Sequence, residues 1–383
     1  MRRLLPLLLV CAASPPLLAQ SSEFGTRGLG LPGRAESVRS LGTGGSFGLF
    51  DPGSSQNPAT LADVYVLTAT FTGMENFRSS TGPGGSVSGR DMRFPQITVA
   101  GPVGHRPFSV GASYSNYTDR DFSVATTSEL ELRGVPVSSF DTLTSRGGLN
   151  DLRLGVGFRG PSGLHLGAAF HVITGSARTE LRRNFSDTAY SAVFQSAEIS
   201  YAGIGASAGL TYSSGRFGFA AMARADGHAN VDRDSTRVSR IGLPTSFGAG
   251  VRYHAGPRLD LAAQGIYRGW SAADASLIAG GGTGAQNIVS FAAGGEYTTD
   301  LRRPYRRPIR FGAHYTRLPF PVVAGERPSE FGVALGSGTR FLDPRTRREV
   351  AGLDLALERV WRREGTSYRE GAWLVTFGVT IKP

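Results

Sequence analysis

Along most of the chain, apolar residues recur at every second position. In the closing stretch GAWLVTFGVTIKP, Trp373, Val375, Phe377, Val379 and Ile381 share one face, and Leu374, Thr376, Gly378, Thr380 and Lys382 share the other. Successive side chains of a strand point to opposite sides, so this spacing predicts a strand with one apolar face and one small or polar face. Leu353, Leu355 and Leu357 oppose Asp354, Ala356 and Glu358 in the same way. Leu152, Leu154, Val156 and Phe158 oppose Arg153, Gly155, Gly157 and Arg159, and Ile309, Phe311, Ala313 and Tyr315 oppose Arg310, Gly312, His314 and Thr316. Such segments run to about 10 residues or beyond, the length of a tilted membrane-spanning strand, whereas soluble strands usually have about 5–6.

About fourteen candidate strands follow one another, and their connections alternate in length. Short turns fall at Pro102–His105, Gly160–Gly163, Ser213–Arg216 and His254–Pro257. Two medium turns, TDLRRPYRRP and LDPRTRRE, continue the series. Longer polar loops are expected at Phe77–Arg90, Asp119–Leu149, Ser176–Ser196, Asp226–Ser239, Ser271–Ala285, Leu318–Pro328 and Arg363–Glu370. All turns then lie at one end and all loops at the other, and an even strand number puts both termini at the turn end. Tyr114, Tyr267, Tyr315, Trp361 and Trp373 fall near loop ends, and Tyr212, Tyr253 and Tyr297 near turn ends, as two interfacial aromatic girdles would. The fold expected is all-β: a transmembrane antiparallel barrel over residues 63–383, whose closure leaves no unpaired strand edge in hydrocarbon.

Composition sharpens this picture. Residues 1–19 read as a secretory signal peptide, with Arg2 and Arg3 ahead of an apolar run and a cut after Ala19. The only cysteine, Cys11, lies in that segment, which excludes disulfides and thiolate metal sites from the mature chain. The formal charge is +11, carried by arginines with Lys382 as the one lysine. For an exported chain this implies a wet arginine-rich surface or lipid headgroups and no nucleic acid partner. The chain has 53 glycines and only 19% charged residues, which suits a barrel spanning the outer membrane of a Gram-negative-type bacterium. Expected partners are outer-membrane lipid and lipopolysaccharide and, during biogenesis, the barrel assembly machinery; the barrel is expected to be a monomer.

A barrel of fourteen strands encloses more space than its own side chains fill. Residues 20–62 precede the first strand and are glycine-rich and partly apolar, and we expect them to sit inside the lumen as a hatch. Within them, VRSLGTGGSF is followed by DPGSSQNPATLAD. This pair of motifs resembles the FadL/TodX family of hydrophobic-compound transporters and related barrels of type IX secretion. Gly42, Gly44, Gly45, Phe47, Asp51, Asn57, Pro58 and Ala59 carry the match. Thr60 stands where the family usually has glycine, and the chain ends Ile381-Lys382-Pro383 where outer-membrane chains usually end on an aromatic. The resemblance implies passive uptake of hydrophobic small molecules, long-chain fatty acids or hydrocarbons, without cofactor or metal. Gly44, Gly45, Phe47, Leu49, Phe50, Asp51, Asn57 and Pro58 are the expected hatch and solute-path residues. The alternative is a non-transporting barrel serving secretion or structure, with a sealed lumen and exposed apolar loops.

Catalytic signatures do not gather. Gly28–Gly33 and Gly155–Gly160 match G-x-G-x-x-G, and Gly44–Gly48 and Gly205–Gly209 match G-x-S-x-G, all without the strand-turn-helix context those motifs require. His165, His171 and His314 share the expected lumen face, and no enzyme activity is expected. The same face carries Arg153, Arg159, Arg252, Asp260, Arg268, Arg310, Asp354 and Glu358, read as a ladder of ion pairs holding barrel and hatch together.

Overall fold

The computed structural model describes residues 22–83, 85–234, 236–303 and 306–383. The expected signal peptide and Cys11 lie outside these. One antiparallel sheet contains eighteen strands: β1 (Leu31–Pro32), β2 (Thr68–Gly82), β3 (Gly85–Pro102), β4 (Phe108–Asp119), β5 (Phe122–Leu132), β6 (Val135–Arg159), β7 (Leu164–Phe185), β8 (Val193–Ser214), β9 (Phe217–Asp226), β10 (His228–Arg233), β11 (Thr236–Gly242), β12 (Thr245–His254), β13 (Leu259–Arg268), β14 (Ile288–Tyr297), β15 (Ile309–Arg317), β16 (Ser329–Leu342), β17 (Glu349–Glu364) and β18 (Tyr368–Ile381). Fourteen of them run round a closed barrel. The other four are β1, contributed by the N-terminal segment, and the ribbons β5 and β10–β11, which lie on the loop side. Closure is made between last and first, β18 pairing with β2 from Arg369↔Thr81 to Ile381↔Ala69.

Alternation decides the faces. Leu353, Leu355 and Leu357 of β17 are exposed on the outside, while Glu358, Val360 and Arg362 are buried within. Leu152, Leu154 and Val156 likewise point out, opposite buried Asp151 and Arg153. The outward residues form an apolar band that in water would cost roughly 25 cal/mol per Å2, and that a bilayer satisfies. Trp361 and Trp373 stand outward at its loop edge.

Several expected loops are sheet. Phe77–Arg90 is the top of the β2–β3 hairpin, Asp119–Leu149 contains β5 and the upper half of β6, Ser176–Ser196 is mostly β7 and β8, and Asp226–Ser239 is largely the β10–β11 ribbon. Their apolar positions are sparse and interrupted by polar residues, as where Thr126 and Ser128 separate Val124 from Leu130, so the alternation that signals a strand is weak although the ladder continues. Ser271–Ala285 is helical in part, with a 3-10 turn at Trp270–Ala273 and helix α2 at Asp274–Ala279.

The N-terminal segment lies inside the barrel and spans its height. Phe24 packs with Leu318 and Val322, and Leu29 with Trp270 and Phe320, beneath the loops. Helix α1 (Val38–Gly42) then crosses the middle, where Val38 and Leu41 meet Ala356. The chain leaves at the turn end, with Leu61 and Val64 against Ala100 and Ser109 Oγ donating to the Val64 carbonyl. The expectation that the chain starts at the turn end holds for β2 and fails for the described N-terminus. That end sits among the loops, because buried Phe24 and Leu29 have their apolar partners there.

Candidate functional site

The lower half of the segment is anchored by Asn57. Asn57 is completely buried and caps the 3-10 helix Pro58–Asp63, its Oδ1 accepting the Ala59 N–H at 3.0 Å. Its Nδ2 donates to the Leu49 carbonyl at 3.0 Å and to the Leu210 carbonyl of β8 at 3.3 Å. Pro58 occupies the first turn, where its missing N–H costs nothing. Thr60, at the family's glycine position, is buried and donates to the Asn57 carbonyl at 2.8 Å. The wall is shaped to receive this knot: a Cβ on Gly209 of β8 would overlap Asn57 Oδ1.

Above it, Asp51 accepts from Ser37 Oγ at 3.0 Å and from the Gly53 N–H at 2.9 Å, closing the turn after α1. Gly44 and Gly45 adopt φ of +67° and +93°, and a Cβ on Gly44 would stand 2.6 Å from the Ala313 nitrogen. Phe47 is buried between two guanidinium groups, Arg39 at 5.4 Å and Arg252 at 5.7 Å from its ring centroid. Leu49 is buried against Ala220 and Met222, with Phe50 beside it. Phe47, Leu49 and Phe50 are therefore wall contacts, whereas Gly44 and Gly45 line a cavity.

The eight charged residues expected on the lumen face make different contacts. Arg310 donates to Glu296 and to Asp354, both at 2.6 Å, and Arg340 forms an ion pair with Asp354 at 2.9 Å. Arg39 joins Glu296 at 2.9 Å, tying α1 to β14. Glu358 accepts Arg34 at 2.5 Å and lies 3.1 Å from His314 Nδ1, and His314 reaches Glu330, which accepts Arg362 at 2.6 Å. Arg252 pairs with Asp260 at 2.6 Å, and Arg159 donates to the Ala62 carbonyl. Arg153 is buried and, among the described residues, has no carboxylate within 4 Å. Arg268 is half-buried and, among the described residues, likewise has no carboxylate within 4 Å. The segment residues Arg34 and Arg39 had no signal in the sequence, since their partners lie 324 and 257 positions away.

A cavity of about 160 Å3 lies between the segment and the loop-side half of the wall. Leu31, Leu41, Ile266, Ile288 and Leu374 give it an apolar portion, and charged residues line it too, Arg268 and Arg93 with Glu36 and Glu330 among them. On one side it meets a seam. The β3–β4 ladder ends at Gln96↔Ser115, although both strands continue toward the loops. Beyond that point the edge of β4 is taken by β1, Leu31↔Asp119 and Pro32↔Thr118, with the Gly33 N–H donating to the Tyr117 carbonyl. Arg93 of β3 reaches across to Asp119, so the seam is closed by side chains and by the segment, not by strand pairing.

His171 is buried with Nδ1 2.9 Å from Asp151 and Nε2 2.8 Å from Ser207 Oγ, the connectivity of a hydrolytic triad. Ser207, however, sits mid-ladder in β8 between Ala169 and Arg224, and neighbouring N–H groups are spent on strand pairing. An oxyanion needs free, converging donors. Arg224 also grips Asp151 at 2.7 Å, and the group reads as a brace across β6–β9. His165 pairs with Asp63 at 3.1 Å at the turn end.

No family model matches the chain, and no curated protein matches it. Solved structures do. A Pseudomonas aeruginosa FadL homologue superposes with a TM-score of 0.61 at 15% identity, covering 92% of this chain and 99% of the other. The P. putida toluene transporter TodX gives 0.57 at 15% identity, with 92% and 99% covered. The CymD monoaromatic hydrocarbon channel gives 0.54 at 14% identity, with 92% and 98% covered. The chain has the FadL/TodX-type barrel fold.

Proposed function

We propose that this barrel resides in the outer membrane and admits hydrophobic small molecules passively, and that its preferred solute is an apolar chain bearing one acidic group. The observation that carries this reading is the cavity, whose lining sets Leu31, Leu41, Ile266, Ile288 and Leu374 beside charged groups, among which Arg268 has no carboxylate within 4 Å among the described residues. An apolar tail fits the walls, and a carboxylate would supply the partner that Arg268 lacks. Direct passage through the lumen would have to break the Asn57 anchor and the Arg34 and Arg39 ion pairs. Sideways passage needs only the short β1 pairing and the Arg93–Asp119 contact to part, so we infer an outlet through the seam into the bilayer. The cavity between segment and wall, with room for part of an apolar chain, weighs against the secretion-accessory alternative, for which a sealed lumen is expected.

The test is uptake by cells or proteoliposomes carrying Arg268→Gln. Entry of a long-chain fatty acid should fall about tenfold, the worth of one charge-assisted hydrogen bond, while entry of a neutral hydrocarbon is unchanged. Equal loss for both solutes, or for neither, removes the anionic-group assignment. Absence of uptake by the unsubstituted protein removes the transport reading.

A further inference from the structure

The lipid-facing wall carries cations that the ion-pair network does not use. Where β17, β18, β2 and β3 meet near the loop end, the register sets outward residues in rows. The lowest is Arg359↔Trp373↔Phe77↔Arg90. Above it come Trp361↔Gly371↔Ser79↔Ser88, and then Arg363↔Arg369↔Thr81↔Ser86. Gly371, Ser79 and Ser88 of the middle row make a recess beside Trp361, between Trp373 and Phe77 below and the Arg363–Arg369 pair above, and these rows bound one open cleft. Arg359 is half-buried between two indoles, 5.3 Å from Trp361 and 5.2 Å from Trp373. A Cβ on Gly371 would stand 2.7 Å from Arg359 Nη2, so the glycine is what lets the guanidinium lie there. Arg90 is neutralised by Glu75. Among the described residues, Arg359, Arg363 and Arg369 have no carboxylate within 4 Å.

Placing three unpaired cations on the outside of a membrane wall is unfavourable unless headgroups meet them, and the cost falls to about 0–1 kcal/mol only near the interface. Arginine forks match phosphate oxygens, and indole faces accept sugar and acyl surface beside them. The geometry points to a binding site for a phosphorylated glycolipid of the outer leaflet, its phosphate held by Arg363 and Arg369, and its sugar and first acyl carbons resting on Trp361 and Trp373 around Arg359. The site rests on the membrane placement proposed above and is independent of the solute assigned to the cavity.

Two of the three tryptophans of the chain lie in this site, so emission reports binding. The delipidated barrel in detergent would be titrated with diphosphoryl lipid A, dephosphorylated lipid A, phosphatidylglycerol and inorganic phosphate. Diphosphoryl lipid A should bind saturably and, through loss of two charge-assisted contacts, about tenfold or more weakly to Arg363→Gln/Arg369→Gln, with heat-modifiable migration of the variant retained. Arg302→Gln, in a turn at the opposite end, should bind as the unsubstituted protein does. Equal affinity for phosphatidylglycerol or for the dephosphorylated lipid, displacement by inorganic phosphate alone, or indifference to the double substitution each overturns the site. A variant that no longer migrates as a folded barrel is replaced by Arg359→Gln under the same criteria. Thr366→Cys, in the adjoining β17–β18 connection, separates the premises. Labelling by an impermeant maleimide on intact cells supports the orientation. No labelling overturns the orientation and the site together, and labelling without lipid A binding overturns the site alone.

Discussion

Replacing Asn57 by alanine should loosen the segment without touching the barrel ladder. The substitution removes the cap on Pro58–Asp63, worth about 1 kcal/mol. It also leaves the buried Leu49 carbonyl without a side-chain donor and deletes a second bond to Leu210, together costing about 1–3 kcal/mol. A local loss of about 2–4 kcal/mol raises the population with this knot detached about 30- to 1,000-fold. Cleavage of the segment by a turn-side protease tracks that population when opening is fast relative to cutting, and single-channel conductance in planar bilayers reports the emptied lumen. Gly209→Ala approaches the same contact from the wall, because its methyl group would overlap Asn57 Oδ1. The two substitutions should each raise nicking and conductance, and combined should add little to either alone, since both break one contact. Unchanged nicking and conductance in Asn57→Ala, with the barrel folded, would refute Asn57 as the anchor. Fully additive effects would show that Gly209 matters for some other reason.

Two further outcomes follow from the seam and the outer band. Pro32→Cys/Thr118→Cys joins residues that are cross-strand partners, so oxidation should arrest solute entry and a reductant should restore it; entry that persists with the disulfide formed rules out the lateral outlet. Leu355→Arg places a cation on the lipid face and should destabilise the barrel by about 2–4 kcal/mol in detergent or lipid refolding titrations, whereas Leu355→Phe should be tolerated; a neutral Leu355→Arg would mean the outer face at this position is not in hydrocarbon.

Strands with one face in lipid were legible because their alternation is strong, as in Leu353, Leu355 and Leu357. The loop-side extensions were less so: Phe122–Leu132 pairs along its whole length with β6, yet Thr126 and Ser128 interrupt the apolar face that Phe122, Val124, Leu130 and Leu132 share. The hatch motif identified the segment and its glycines, while the direction in which it runs depends on Phe24 and Leu29 meeting loop residues nearly 300 positions away, a pairing that no local pattern encodes. The inward parity of Arg310, Asp354 and Glu358 was readable from period two; their partners Arg39 and Arg34 were not. Histidine parity placed His171 on the lumen face, but its contact with Ser207 and Asp151 needed coordinates. The aromatic residues of the motif, Phe47 and Phe50, pack on the wall, and the cavity is built by the quieter Leu31, Leu41 and Gly44.

The run of the segment through the full height of the barrel constrains the order of events in folding. The ring closes when β18, the last strand made, pairs with β2, the strand joined directly to the segment. Once that junction is zipped, a segment still outside would have to be threaded from the turn end through the closed lumen to bring Phe24 and Leu29 to the loops. Threading a finished cylinder is far slower than wrapping a sheet round a strand already laid down. The interior must therefore be occupied first and the wall curled about it. A chain with a faulty segment then shows its defect as late or incomplete closure, a kinetic phenotype, before any change in the finished barrel.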